Sequence, residues 1–250
     1  MKKDTARDTG RFHLLRALCG EFLHCIKLSL FDSACRVCGV TLVFPAESIV
    51  CQECLAKITP NLDPLCPVCG RNLGDWYERC GECLVELPPF RKHVSYSRYK
   101  GVLRKLILAY KYGGIEKLKF LFASYYIRLY HERVNESFDY IIAIPPDRSR
   151  KREFDHIVEM AKVVSQQLNI PLLTGHLVKI KKTLPQARLT RAKRLQNLNG
   201  AFQLKFPAHL HGKKVLLIDD VYTTGTTMRK CTSLLAQHHA DVVAMTLAYS

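Results

Sequence analysis

Residues 215–228 have the sequence VLLIDDVYTTGTTM, and this stretch decides the fold. The first four residues are all apolar, which is typical of a strand buried on both faces of a parallel sheet. Asp219 and Asp220 follow, at what we predict to be the carboxyl end of that strand. A loop of threonine and glycine residues then opens the predicted next helix: Thr223, Thr224, Gly225, Thr226 and Thr227.

This loop has the chemistry of a phosphate site. Backbone N–H groups at a helix N-terminus attract anions, threonine hydroxyls donate hydrogen bonds, and Gly225 allows a ligand to approach the backbone closely. Asp219 and Asp220 would lie where open α/β sheets bind ligands, and carboxylates bind sugar hydroxyls or a metal-bridged ligand. The alternatives are an ordinary strand, turn and helix, or another nucleotide site, although no segment matches the P-loop pattern G-x-x-x-x-G-K-[ST].

The same stretch resembles the phosphoribosyl pyrophosphate (PRPP) motif of type I phosphoribosyltransferases, in which an apolar strand, two acids and two spacer residues precede a T-T-G-T-T loop. The resemblance implies the α/β fold of that class. It also implies that Asp219 and Asp220 are the catalytic acids that contact the ribose hydroxyls, that the loop holds the 5′-phosphate, and that Mg²⁺ accompanies PRPP. Family members that use hypoxanthine or guanine have Asp at the position of Thr223, so the resemblance disfavours a 6-oxopurine and leaves the acceptor unidentified.

The positive charge of the chain is concentrated in its middle. The formal net charge is +16, and residues 91–200 contain 23 Lys and Arg against 8 Asp and Glu, a net charge of +15. Scattered cations are commonly a solvated face, but so lopsided a segment favours a polyanionic partner, namely pyrophosphate, nucleic acid or both. Four tyrosines in this segment are candidates for stacking on bases, or else belong to the core: Tyr96, Tyr99, Tyr110 and Tyr112.

Eight of the eleven cysteines form four Cys-x-x-Cys pairs, the spacing of metal ligands. The first and third pairs are followed by glycine, and the second and fourth by leucine, which indicates one repeated unit. Two such pairs close a tetrahedral site of four thiolates, the arrangement that structural zinc prefers. The predicted zinc ligands are Cys35, Cys38, Cys51, Cys54, Cys66, Cys69, Cys80 and Cys83.

These ligands predict two saturated structural zinc sites in a small domain where the metal replaces a hydrophobic core. Sequential pairing of the motifs follows the repeat and looks like a double zinc ribbon, while cross-braced pairing of the first motif with the third is an alternative. Disulfides or redox-active pairs are another alternative. The first residues do not have the pattern of a signal peptide, so we expect a cytoplasmic protein whose thiols stay reduced.

The predicted organisation has three parts: an N-terminal helical segment at 1–32, a double zinc-ribbon domain at 33–88, and a parallel α/β domain at 91–250. A proline-containing linker at 87–90 joins the last two. No run of about 20 apolar residues predicts a membrane span.

The α/β assignment depends on strands that alternate with helices along the chain. We predict strands at 138–144, 170–173, 177–180 and 242–248, with the last one closing the sheet. We predict a helix at 12–31 and a second helix that ends near Tyr112. A break at Gly113 and Gly114 separates it from a third helix, and two more follow, one at 152–168 and one from near Thr224.

Basic residues follow the strand predicted at 138–144. Arg148, Arg150 and Lys151 lie just beyond its end, from where cations would reach the pyrophosphate end of the ligand. Residues 143–156 resemble the pyrophosphate segment of ComF-type proteins, whose pattern R-G-F-N-Q is R-E-F-D-H in this chain.

Residues 183–202 also resemble ComF-type proteins, which have T-x-x-Q-x-x-L, R-x-x-N and G-A-F in this order. This segment implies a cationic lid that closes over PRPP and excludes water, with Lys182 and Arg194 as candidate ligands of pyrophosphate. With the cysteine pairs and the PRPP motif, the resemblance covers most of residues 35–248, and the chain is identified as a member of the ComF family, which is linked to DNA uptake in competence and to GntX-like proteins.

The family resemblance implies PRPP and other DNA-uptake proteins as partners, and the positive charge and tyrosines of residues 91–200 add single-stranded DNA. It leaves two classes of function open. The first is a Mg-dependent phosphoribosyltransferase of unidentified acceptor. The second is a non-catalytic adaptor that senses PRPP or binds single-stranded DNA and uses its zinc ribbons for partner contacts.

Overall fold

The structure is a computed structural model that describes residues 34–42, 49–74, 78–146, 155–181 and 198–250. It comprises two units, Met1–Leu55 and Ala56–Ser250, so the second group of four cysteines belongs to the same unit as the sheet. Several predicted features lie outside the described residues: the helix at 12–31 and the candidate pyrophosphate ligands Arg148, Arg150, Lys151, Lys182 and Arg194.

The second unit is built on a five-stranded parallel sheet, as predicted. Its strands, from one edge to the other, are β1 (Lys92–Arg98), β7 (Asp241–Tyr249), β6 (Lys214–Tyr222), β2 (Tyr140–Ala143) and β3 (Leu172–Leu173). The apolar residues 215–218 are fully buried in the middle strand, because neighbouring strands and helices cover both of its faces.

The position of β7 corrects one prediction. This last strand does not close the sheet but lies between β1 and β6. Seven consecutive residues of β7 are buried, and such a strand needs cover on both faces and both edges. The more polar β1, which contains Ser95 and Ser97, takes the edge instead.

The described residues contain six α-helices: α1 (Gln52–Ala56), α2 (Gly81–Val85), α3 (Gly101–Tyr112), α4 (Leu118–Arg133), α5 (His156–Leu168) and α6 (Thr226–Ala236). Helix α3 ends where predicted, because Gly113 caps it and Gly114 adopts a left-handed φ of 66°. Helix α5 begins four residues after its predicted start, where the Asp155 carboxylate accepts hydrogen bonds from the first helical turn. No helix among these is long and apolar enough to cross a membrane.

A second sheet, of two strands, contains one of the predicted strands. The strand predicted at 177–180 is present as β4 (Leu177–Lys179), which lies outside the five-stranded sheet and pairs antiparallel with β5 (Phe202–Leu204). The physical reason is cover for apolar side chains, since Leu177 and Phe202 are buried in a core that they share with residues of α6. A 3₁₀ turn at Pro207–Leu210 then leads into β6.

Strand β6 continues further than predicted. We placed Asp219 and Asp220 at the end of the strand, but its pairing with β7 continues to Tyr222, which pairs with Tyr249. On the other side of β6, pairing with β2 ends earlier, because Ala143 is the last residue of β2 and pairs with Ile218. The two acids therefore lie within β6 but beyond the end of β2, at a step in the sheet.

Candidate phosphate site and metal centres

The step beside Asp219 and Asp220 lies where the chain reverses its direction across the sheet. From β2 the chain passes through α5 to β3 on one side, and from β6 it passes through α6 to β7 on the other. Right-handed crossovers in opposite directions place α5 and α6 on opposite faces and leave a crevice outside the carboxyl ends of β2 and β6. Open α/β sheets bind ligands at such crevices.

The threonine loop follows the two acids at this end of β6. Gly225 has a left-handed φ of 69° and caps the N-terminus of α6. A Cβ atom at this position would lie 2.2 Å from the Tyr222 hydroxyl oxygen and 2.4 Å from its Cζ, far too close for unbonded atoms, so the loop requires glycine here. The Thr224 and Thr226 hydroxyls lie 2.9 Å apart, and Thr223 is exposed. These groups and the N–H groups of the first turn of α6 suit an anion.

Asp220 is held by two cationic or titratable side chains that the sequence analysis did not single out. Its Oδ2 atom lies 2.6 Å from Nζ of Lys111 on α3 and 2.9 Å from Nε2 of His156 on α5. Although burial opposes ionisation of this carboxyl, Lys111 and His156 hold the pKa of Asp220 well below its ordinary value. Asp220 is therefore a buried anion that is fixed before any ligand arrives.

Asp219 differs from its neighbour in protonation. Its Oδ1 atom accepts the N–H of Asp220 at 2.9 Å, and its carbonyl oxygen accepts the hydroxyl of Tyr126 on α4. Burial, with the charge of Asp220 beside it, raises the pKa of Asp219 to about 8. In the ligand-free protein the two carboxyl groups thus carry one negative charge near neutral pH, on Asp220. A bound cation would favour ionisation of Asp219 as well.

The cysteines meet as two separate groups, Cys35, Cys38, Cys51 and Cys54, and Cys66, Cys69, Cys80 and Cys83. Within each group all four Sγ atoms lie within 4.8 Å of one another. The Cys-x-x-Cys pairs therefore combine in sequential order, the first with the second and the third with the fourth, and the cross-braced alternative is wrong. The described cysteines form no disulfide. Four convergent thiols at these separations fit a structural zinc ion in each group.

The two groups repeat one geometry. Gly39 and Gly70 both have a left-handed φ and both donate an N–H to the carbonyl of the first cysteine of their group, at 2.9 Å. A short helix, α1 or α2, carries the last cysteine of each group. Despite burial, backbone N–H groups lower the pKa of Cys35 to about 6 and that of Cys66 to about 7. Each first cysteine is thus prepared as a thiolate, the form that binds metal.

The second cysteine group is joined to the sheet through His93 on β1. The His93 ring is fully buried, with Nδ1 at 2.8 Å from the Cys69 carbonyl and Nε2 at 3.0 Å from the Thr246 hydroxyl. The His93 ring also stacks on the Tyr222 ring, with centroids 4.2 Å apart. Burial lowers the pKa of His93 to about 4, so the ring is neutral. His93 and Tyr222 thereby connect the metal group to the threonine loop.

Two family models of protein domains match the chain. Residues 26–84 match the model of the double zinc ribbon domain, and residues 158–249 match the model of the phosphoribosyl transferase domain.

Three relatives align with most of the chain. Competence protein F of Haemophilus influenzae is 28% identical over 222 residues, which cover 83% of this chain and 93% of that protein. DNA utilization protein YhgH of Escherichia coli is 26% identical over 215 residues, with coverages of 84% and 93%. Competence protein ComFC of Bacillus subtilis is 24% identical over 200 residues, with coverages of 75% and 77%.

Proposed function

We propose that this member of the ComF family, which joins a double zinc ribbon to a phosphoribosyltransferase domain, binds PRPP in the crevice beside β6 and acts in DNA uptake. The observation that carries the proposal is the crevice itself. It brings a buried anionic acid, a second acid of raised pKa and a glycine-capped threonine loop to one point at the carboxyl edge of the sheet.

Each part of the crevice has a role in this proposal. The N–H groups and hydroxyls of residues 223–227 hold the 5′-phosphate. Asp219 and Asp220 accept hydrogen bonds from the ribose hydroxyls, and Lys111 and His156 keep Asp220 in position for this contact. The candidate ligands of pyrophosphate are cations: Arg148, Arg150, Lys151, Lys182 and Arg194.

A transfer reaction at this site would break the bond between C1′ of ribose and pyrophosphate and form a bond from C1′ to the acceptor. The chain needs to supply no nucleophile for that step. It orients the sugar and stabilises the charge of the departing pyrophosphate with cations in a site that excludes water. Mg²⁺ bound with PRPP would neutralise part of the same charge.

The role in DNA uptake is supported by the relatives, which are named competence proteins and a DNA utilization protein. The net charge of +15 on residues 91–200 also supports this role, since a single strand of DNA is a polyanion. Thiols arranged as metal ligands fit the cytoplasm, where thiols stay reduced, and we place the protein there.

A second candidate function is a PRPP-sensing adaptor without turnover. The observation that favours it is the apolar surface of the second zinc ribbon, where Leu84, Val85 and Leu87 are 66%, 90% and 58% exposed. Exposed apolar groups of this kind mark contacts with other proteins. In this function the zinc ribbons contact other DNA-uptake proteins, and PRPP occupancy regulates that contact.

We expect Gly225→Ala to weaken PRPP binding at least tenfold. The new Cβ would collide with the Tyr222 ring, so the loop must shift, and each lost hydrogen bond to a charged phosphate costs about 1.5–3 kcal/mol. The measurement is calorimetric titration of the purified protein with PRPP and Mg²⁺. Gly212→Ala is the matched control, because Gly212 also has a left-handed φ, of 67°, but its Cβ would meet no atom within 4 Å.

Equal affinity in the two glycine variants would contradict the proposed phosphate site. A second measurement on the same samples distinguishes the two candidate functions. It follows the release of pyrophosphate from PRPP in the presence of amines, pyrimidines or oligonucleotides. Release that depends on one acceptor supports the transferase. Tight binding with no release on any acceptor supports the adaptor.

A further inference from the structure

A second pocket opens at the same edge of the sheet, one strand away from the β6 crevice. It has a volume of about 300 Å³, at the lower end of the range of small-ligand sites. It lies where β1 and β7 end, against the second zinc ribbon. The residues that give it chemical character are two asparagines, three cations and two tyrosines: Asn61, Asn72, Arg71, Arg98, Lys100, Tyr99 and Tyr249.

The pocket is rigidly built on its inner side. The backbone N–H of Tyr99 donates to the carbonyl of Tyr249 at 2.7 Å, which prolongs the β1–β7 ladder past its end. Arg71 of the zinc ribbon donates from Nε to the Tyr249 hydroxyl at 2.7 Å and pairs with Glu82 at 3.0 Å. Arg71 thus forms a fixed wall whose charge is partly neutralised.

The outer side of the pocket carries the free positive charge. Arg98 and Lys100 are exposed, and neither forms an ion pair with another residue of the described chain. No Asp or Glu is among the described residues that line the pocket. Two adjacent cations without a neutralising acid suit a phosphate group.

Tyr99 gives the pocket an aromatic ring beside these cations. Of the four tyrosines predicted as candidates for stacking, Tyr96 and Tyr110 are only 4% and 2% exposed and belong to the core. Tyr99 is half-buried and lines the pocket, with the Arg104 guanidinium 5.9 Å from the ring centroid. A half-exposed tyrosine between cations is a surface on which bases of single strands stack.

The pocket and the threonine loop share structural support. The Tyr249 and Tyr222 rings stack with centroids 5.4 Å apart, and the N–H of Ser250 donates to the carbonyl of Tyr222 at 2.9 Å. Tyr222 is the ring against which Gly225 packs. A ligand in the pocket would therefore lie beside the candidate PRPP site on the same sheet edge.

We propose that this pocket binds one nucleotide unit, with the phosphate on Arg98 and Lys100 and the base against Tyr99. This proposal rests on the proposed function and deepens it. If PRPP binds in the β6 crevice, the nucleotide is the ligand that the protein holds next to PRPP. Two sources supply the same chemistry, a free mononucleotide and a unit of single-stranded DNA.

The test is fluorescence anisotropy of a labelled oligo(dT) titrated with the full chain at several salt concentrations. We expect Arg98→Ala with Lys100→Ala, and separately Tyr99→Leu, to weaken binding about tenfold or more. The double variant should also make the dependence on salt less steep, because fewer phosphates are neutralised. The matched control is Lys105→Ala with Lys205→Ala, which removes the same charge from exposed residues outside the pocket and should bind as the wild type does.

Competition identifies the source. Displacement of the oligonucleotide by dTMP supports a mononucleotide site, and weakening by the pocket variants without displacement by dTMP supports a unit of DNA. The proposal is overturned if the oligonucleotide and dTMP both fail to bind, if Tyr99→Leu or the double variant binds normally, or if the control loses as much affinity. Equal displacement by inorganic phosphate and by dTMP also overturns it. PRPP titration of the same variants should be unchanged, so a failure of the PRPP site is recognised separately.

Discussion

Replacing Cys80 and Cys83 by serine is expected to unfold Ala56–Ser250, or to lower its melting temperature drastically, and to abolish PRPP binding. All four cysteines of the second group are buried in the same core as Leu217, Tyr222 and Met228, which support the sheet and the threonine loop. Structural zinc contributes on the order of 10 kcal/mol in small zinc domains. That is comparable with the whole stability of a typical domain, roughly 5–15 kcal/mol.

The matched control is Cys35→Ser with Cys38→Ser, because these cysteines repeat the same geometry in the other unit. Emission spectroscopy should find two zinc ions per wild-type chain and one in the control. Near-ultraviolet circular dichroism and thermal melting of the α/β unit should be unchanged in the control. A Cys80 and Cys83 variant that melts and binds PRPP as the wild type does would contradict the account, and so would a wild type with fewer than two zinc ions.

Asp220→Asn is expected to lower the free energy of unfolding by about 3–5 kcal/mol, because it leaves Lys111 buried without its counter-charge. The two side chains are only 10% and 19% exposed, so solvent screens this pair weakly. Urea unfolding of the purified variant measures the loss. Adding Lys111→Met to Asp220→Asn should restore part of the stability, and no restoration would show that the ion pair is not the cause.

The pH dependence of these variants has a definite sign. Since the folded pKa of Asp220 is lowered, its contribution is complete above the ordinary carboxyl pKa of about 4 and is lost as the pH falls, so the deficit of Asp220→Asn should shrink in acid. The raised pKa of Asp219, about 8, has the opposite effect. Through this group the wild type should lose stability as the pH rises from about 4 to 8, so the stability of Asp219→Asn relative to wild type should increase over that range.

Local patterns were sufficient to predict the parts of the site that follow one another along the chain. The threonine loop after β6 and the eight cysteines are defined by spacing, and backbone geometry converts such spacing directly into position. The parallel sheet follows from the alternation of strands and helices, but the place of β7 inside the sheet does not, because strand order depends on pairing between distant segments.

The residues that the sequence analysis missed act across long distances in the chain. Lys111 lies 109 positions before Asp220 and His93 lies 129 positions before Tyr222, and neither has a local pattern that distinguishes it from other residues of its helix or strand. His156 and Asp155 had a signal. They are the two residues by which R-E-F-D-H departs from the last two positions of R-G-F-N-Q, and in the structure one contacts Asp220 and the other caps α5.

The most direct test of the central claim is a crystal structure of the wild-type protein with PRPP and Mg²⁺. We expect density for the 5′-phosphate within hydrogen-bonding distance, about 2.7–3.2 Å, of N–H groups in residues 223–227. We also expect the ribose hydroxyls to contact Asp219 and Asp220. Density for PRPP elsewhere on the chain, or an empty crevice at saturating PRPP with the threonine loop accessible in the crystal, would contradict the account.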